Sequence, residues 1–174
     1  MDGVSTADPA VTEGIMDRRH FLGAATALGA LALVAPRGAL AGAGSNMRGA
    51  APLKMTVYKS PSCGCCKSWI AYMKKEGFDL KVIDMDDLSD IKHSTGVFSA
   101  MESCHTGLIG SYVVEGHVPA DLIRKMLAEQ PKILGLSVPG MVNGPPGMDD
   151  GPKQPYQVIA FTRDGKSSVY ARRS

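Results

Sequence analysis

At 174 residues, the chain has room for one domain, or for a leader and one domain. Its formal net charge is +2, and its Lys and Arg residues are scattered among acids rather than gathered into the basic stripe typical of nucleic-acid-binding proteins. No phosphate-binding loop, Ser/His/Asp set or pair of acid–base carboxylates can be identified either, so the four cysteines are the main candidates for chemistry.

The N-terminal segment has the pattern of an export signal. Arg18-Arg19 precede an apolar run at 21–35, which is shorter than the ~20 residues that a membrane-spanning helix needs. Ala39-Leu40-Ala41 then has the form of a signal-peptidase site, and the whole pattern resembles a twin-arginine export signal. We therefore expect residues 1–41 to be removed by cleavage near Ala41, giving a periplasmic protein with no stable membrane insertion. An uncleaved anchor and a true start at Met16 are the alternatives.

The sequence after the predicted export signal indicates an α/β domain. Residues 42–54 are small and polar, and we interpret them as a flexible lead-in to a domain at 55–174. Periodicity and turn residues predict, in order, a strand at 55–58, a helix from Cys66 to Gly77, a strand at 80–85, an unassigned stretch at 88–107, a strand at 110–115, a helix between Pro119 and Pro131, a Gly/Pro-rich loop at 138–148, and a hairpin of strands at 156–161 and 167–171.

This order of elements is that of a thioredoxin-like fold, a central mixed sheet flanked by helices. The middle segment is enlarged and a final helix is missing. Pro139 lies just ahead of the predicted hairpin, at the position where such folds carry a cis-proline facing the active site.

Three cysteines, Cys63, Cys65 and Cys66, lie between the first strand and the first helix. The backbone N–H groups and the dipole at a helix N-terminus favour anions, so they lower the pKa of a thiol placed there. Thiolates are both redox nucleophiles and ligands for soft metal ions. The spacing alone is therefore compatible with a redox dithiol and with a metal site.

The third cysteine favours a metal site. A dithiol enzyme needs only two sulfurs, whereas a pocket for soft cations can use three or four, and Cys104 can supply the fourth if the middle segment folds back over the helix. Four thiolates can hold one tetrahedral zinc ion or a small Cu(I) cluster, although the adjacency of Cys65 and Cys66 disfavours structural zinc. A structural disulfide (Cys63–Cys66 or Cys65–Cys104) and a thiol–disulfide oxidoreductase using Cys63 and Cys66 remain alternatives.

Three motifs resemble those of a known bacterial family. The motifs are Val57-Tyr58-Lys59-Ser60-Pro61-Ser62-Cys63-Gly64-Cys65-Cys66, Ser103-Cys104-His105-Thr106, and the run from Val138-Pro139-Gly140-Met141 to Gly147-Met148. They resemble the signatures of the CopG-type copper-resistance proteins of the periplasm. Val142-Asn143 departs from the third signature, where a Pro and a small residue are expected.

The resemblance implies a thioredoxin-like fold and a role in copper resistance or homeostasis. It marks all four cysteines as ligands of copper, most simply Cu(I), with zinc the less favoured metal. It also implies partners among copper ions and other periplasmic copper-handling proteins, and leaves copper or thiol redox activity open.

The chain offers a few further candidate ligands. His105 follows the fourth cysteine, and Met141 and Met148 lie in the Gly/Pro-rich loop with thioethers suited to Cu(I). Each has an ordinary alternative, because a loop histidine can bond to backbone and methionines fill irregular gaps in a core. His93 and His117 lie in polar stretches, and we expect both to be solvated.

Overall fold

A computed structural model of the protein describes residues 51–148 and 150–174. The predicted export signal at 1–41 and most of the lead-in at 42–54 lie outside these described residues. Within them, the strands are β1 (Leu53–Lys59), β2 (Phe78–Asp84), β3 (His105–Ile109), β4 (Tyr112–Glu115), β5 (Gly135–Ser137), β6 (Tyr156–Phe161) and β7 (Ser167–Arg173). The α-helices are α1 (Gly64–Lys75), α2 (Ser89–Thr95) and α3 (Ala120–Glu129), and a 3-10 turn covers Ser99–Met101.

The strands form one mixed sheet in the order β2-β1-β3-β4-β5-β6-β7. β1 pairs in parallel with β2, β4 pairs in parallel with β5, and the other neighbours are antiparallel. The predicted α/β class, with a central mixed sheet flanked by helices, is confirmed, and the arrangement is compatible with a thioredoxin-like fold. None of the helices in the described part of the chain has the length and apolar character that a membrane span requires.

Two apolar cores lie on the two sides of the sheet. Neighbouring residues of a strand point to opposite faces, and in β4 the side chain of Val114 joins the larger core while that of Val113 joins the smaller one. The larger core takes Trp69 from α1 and Ile123 from α3, both fully buried. The smaller core contains Met101 and lies under the middle segment. The central strands of the sheet are therefore covered on both faces, and α1 is fixed by its apolar side.

The predicted elements agree with the structure in order and differ at their ends. The final hairpin is where it was expected, although β7 runs on to Arg173. The second strand begins two residues earlier than predicted, at Phe78. The first helix begins at Gly64 rather than Cys66, because the turn at Ser60 to Cys63 lets the Cys63 side chain cap it. The whole cysteine motif therefore belongs to the helix start.

The enlarged middle segment contains α2, the 3-10 turn and β3, none of which was predicted. β3 was missed because Gly107 weakens a five-residue strand signal. A side chain at that position would lie 3.0 Å from the Met55 sulfur, which explains the glycine. The short β5 was missed as well. No peptide bond among the described residues is cis, so the Val138–Pro139 bond, whose isomer the sequence left open, is trans.

Candidate metal centre

The cysteine motif lies at the N-terminus of α1. Cys63 is the N-cap residue, with extended backbone angles, and its sulfur lies 3.3 Å from the backbone nitrogen of Cys66. Its own N–H donates to the Ser60 carbonyl at 3.1 Å, which closes the turn from β1. Free backbone N–H groups at a helix start favour a negatively charged sulfur. The helix start therefore provides the electrostatic setting that the sequence predicted.

The four cysteines are in two different states. Cys63 and Cys66 form a disulfide, whereas Cys65 and Cys104 are free thiols. Cys66 lies on the core-facing side of α1 and is fully buried, whereas the other three cysteines are half-buried. The Cys65 sulfur lies 3.5 Å from that of Cys63. One of the two alternative disulfides considered from the sequence is thus present, and the Cys65–Cys104 bond is not.

β3 brings Cys104 to the helix start. Its first residue, His105, is paired with Lys59 at the end of β1, so the residue before it lies beside the turn that leads into α1. The Cys104 carbonyl lies 3.7 Å from the Cys66 sulfur. All four cysteine sulfurs lie within 4.8 Å of one another, and together they can hold a metal ion. The structure therefore gathers the four predicted sulfur ligands in one place.

Cys104 differs from a surface thiol in its acidity. Burial, followed by the negative charge of a neighbouring Cys65 thiolate, raises its pKa to about 12. In the disulfide form, Cys104 is therefore protonated at neutral pH. A metal cation bound among the sulfurs would reverse this, because coordination deprotonates a thiol outright.

Two histidines extend the centre into the protein. His105 is fully buried and packs against Trp69, with ring centroids 4.4 Å apart and ring planes tilted by 44°. Its Nδ1 lies 3.2 Å from the Cys104 sulfur. His117 is 2% exposed, and the two imidazole centroids are 5.1 Å apart. Burial, followed by the nearby His117 and Lys92, holds the pKa of His105 well below its usual value. Its imidazole is therefore neutral and has a lone pair to offer a metal.

The expectation that His117 is solvated is wrong. It follows Gly116 in the connection from β4 to α3, and the Gly/Pro-rich loop covers it: its Nδ1 lies 2.8 Å from the Pro146 carbonyl oxygen. Sequence composition does not reveal this contact, because the two residues are 29 positions apart. His93 is exposed, as expected.

The methionines of the loop lie in different environments. Met141 is 58% exposed, whereas Met148 is half-buried next to Gly147. A Cβ atom on Gly147 would lie 2.6 Å from the backbone nitrogen of Trp69, so the loop packs directly on α1 at this point. The loop is thus held against the helix that carries the cysteines.

A buried ion pair that the sequence did not predict supports the segment around Cys104. Lys92 of α2 and Glu115 of β4 are in contact, and the Glu115 side chain is fully buried. The Glu115 carboxylate also accepts hydrogen bonds from the Ser103 N–H at 2.7 Å and from the Thr106 hydroxyl at 2.7 Å. Lys92 in turn donates to the Ser103 carbonyl at 3.0 Å. These contacts fix the residues on both sides of Cys104 and His105.

The similarities to known proteins agree with this centre. The family described as "Protein of unknown function, DUF411" matches residues 101–148. Among curated proteins, none matches the chain significantly. A solved structure titled "Copper resistance protein copG- Form 2" is 44% identical, with a TM-score of 0.67 over 71% of this chain and 99% of that one. "Form 1" of the same title is also 44% identical, with a TM-score of 0.66 over 70% of this chain and 98% of that one. The chain therefore belongs to the family of the copper resistance protein CopG.

Proposed function

We propose that the protein binds Cu(I) outside the cytoplasm, through the sulfurs of all four cysteines, and that it acts in copper resistance. The observation that carries the proposal is the gathering of four sulfurs within 4.8 Å of one another. Thiolates are soft ligands that select Cu(I), and four of them in one place suit a small copper–thiolate cluster. The copper-resistance title of the 44% identical structures supports copper over zinc.

The copper-binding form in this proposal is the reduced form. A disulfide sulfur carries no thiolate charge, so the Cys63–Cys66 bond and a four-thiolate site are alternative states of the same residues. Opening the bond takes two electrons and two protons, and copper binding then releases the thiol protons. The Cys63–Cys66 disulfide is thus the resting form of the site in an oxidising compartment.

The test is an anaerobic Cu(I) titration of the reduced protein against a competing chelator, with X-ray absorption at saturation. We expect sulfur-dominated coordination. We also expect Cys65→Ser to lower both the number of bound coppers and their affinity, because a hydroxyl is a poor ligand for Cu(I). Ser68→Ala, at an exposed position of α1, is the matched control and leaves both values unchanged. Unchanged stoichiometry and affinity in Cys65→Ser would refute the shared cluster.

The Cys63–Cys66 disulfide supports a second candidate function, a thiol–disulfide oxidoreductase. Cys66 is fully buried and Cys63 is half-buried at the helix start, so Cys63 is the sulfur that a substrate can reach. Its thiolate would attack a substrate disulfide, and Cys66 would then displace the reduced substrate and close the Cys63–Cys66 bond. Insulin reduction by the metal-free dithiol protein tests this function. Absence of turnover would exclude it, and Cys66→Ser should trap the mixed disulfide if it is correct.

We propose that export depends on residues 1–41. Replacing Arg18 and Arg19 together by Lys should leave the protein in the cytoplasmic fraction if the signal is of the twin-arginine type. N-terminal sequencing of the exported form should find a start just after Ala41. An exported protein that retains the apolar run at 21–35 would instead establish a membrane anchor.

A further inference from the structure

A second set of metal donors lies on the inner side of Cys104. One donor atom from each of Cys104, His105 and His117 lies within 4.8 Å of the others. The three residues come from the start of β3 and from the connection between β4 and α3, so neighbouring strands of the sheet hold them together. Cys104 is half-buried, and both histidines are buried. The set therefore extends inward from the four sulfurs and shares one of them.

His105 has the geometry of a ligand. Its Nδ1 is 3.2 Å from the Cys104 sulfur, close to the ~3.5 Å that separates two donors bound to one ion at ordinary N and S distances. Nδ1 is therefore the ring nitrogen that His105 would offer to an ion shared with Cys104.

His117 is held in one tautomer by the Gly/Pro-rich loop. A carbonyl oxygen only accepts, so at 2.8 Å from the Pro146 oxygen the Nδ1 of His117 carries the hydrogen and donates it. A neutral imidazole in this tautomer has its lone pair on Nε2. A histidine that ligates a metal usually donates its other N–H in this way, because the outer hydrogen bond sets the ring orientation. Gly147, packed on the backbone of Trp69, keeps this part of the loop in place.

We propose that Cys104, His105 and His117 form a second copper site of one thiolate and two imidazoles, joined through the Cys104 sulfur to the four-cysteine site. The proposal rests on the proposed function for its metal, and it goes further in assigning both histidines. Two imidazoles and one thiolate suit copper in either oxidation state, whereas an all-thiolate site favours Cu(I). The two sites therefore differ in the form of copper that each stabilises.

The experiment isolates this site in a variant with Cys63, Cys65 and Cys66 all replaced by Ser. Cu(I), added anaerobically with a competing chelator, should bind at one ion per chain, and X-ray absorption should show both nitrogen and sulfur ligands. Trp69 is the chain's single tryptophan and packs against His105, so Cu(II) bound at this site should quench its fluorescence. In the same background, His117→Gln should weaken copper binding at least about tenfold. His93→Gln, at an exposed histidine, is the matched control and should have no effect.

A purely structural role for the histidines predicts different results. Coordination without nitrogen in the triple-serine variant would overturn the proposal, and this measurement needs no histidine substitution, so it stands even if His117→Gln fails to fold. Equal affinities for His117→Gln and His93→Gln would overturn it as well. The four-cysteine proposal fails separately, through the titration of the reduced, unsubstituted protein and its Cys65→Ser variant.

Discussion

The buried Lys92–Glu115 pair provides the sharpest test of how the segment around Cys104 is held. Glu115→Gln keeps the shape of the side chain and removes its charge, which leaves the Lys92 cation buried without its counter-charge. Removing one partner of a buried ion pair typically costs ~3–5 kcal/mol of unfolding free energy. Glu115 also accepts hydrogen bonds from Ser103 and Thr106. We therefore expect a loss at the upper end of that range for a variant that removes both oxygens, such as Glu115→Ala, and near the lower end for Glu115→Gln.

Urea denaturation, followed by the fluorescence of the buried Trp69, measures this loss with the disulfide intact. Lys92→Met should cost a similar amount, since it leaves the carboxylate unpaired. The double variant should cost far less than the sum of the two single changes, because it removes both charges. Asp121→Asn breaks the exposed pair with Arg173 and should cost under ~1 kcal/mol. Additive effects, or a loss below ~1 kcal/mol in Glu115→Gln, would refute the argument that this pair anchors the segment.

Three further predictions concern His105, Cys104 and Gly147. The pKa of His105 is held below its unfolded value of 6.5. The free energy of unfolding should therefore decline as the pH falls below 6.5, by up to ~1.4 kcal/mol per pH unit. His105→Gln should flatten this slope in urea denaturation at a series of pH values. In Cys65→Ser with the disulfide intact, the rate of Cys104 alkylation should rise about tenfold per pH unit from neutrality to pH 10, because only the thiolate reacts and the pKa is raised by burial. A rate that levels off near pH 8.5 would contradict this burial. Gly147→Ala should lower the free energy of unfolding by ~2–3 kcal/mol, because its Cβ would clash with the backbone of α1. Gly140→Ala is the control: this glycine has a similar positive φ but open space around it, so the loss should be only ~1 kcal/mol. Equal losses would show that the clash at Gly147 is relieved elsewhere.

Local patterns were sufficient to predict much of the fold. The helical spacing after Cys66 and the turn at Gly165 depend on neighbours within a few residues, so α1 and the final hairpin were found. β3 and β5 were not, because Gly107 and a three-residue strand carry little local signal. Their stability comes from pairing with strands far along the chain, which a single sequence does not display.

The candidate site was predictable where the residue type itself indicates metal-binding chemistry. The four cysteines could be recognised as candidate ligands from the sequence, and the structure brings them together. The burial of His117 depends on the Pro146 carbonyl, and that of Lys92 on Glu115, which are contacts between distant residues of ordinary type. Polar residues in polar surroundings are normally solvated, so the sequence pointed the wrong way for His117.

The donor atoms come from two stretches of chain that only folding brings together. Cys63, Cys65 and Cys66 lie within one turn of helix, whereas Cys104 lies 38 residues beyond Cys66. An ion bound by both stretches binds the folded chain far better than the unfolded one. By mass action it raises the free energy of unfolding by ~2.7 kcal/mol when the free metal is at 100 times its Kd. Metal supply would then set the protein's resistance to proteolysis, and its abundance would rise with copper without any change in synthesis.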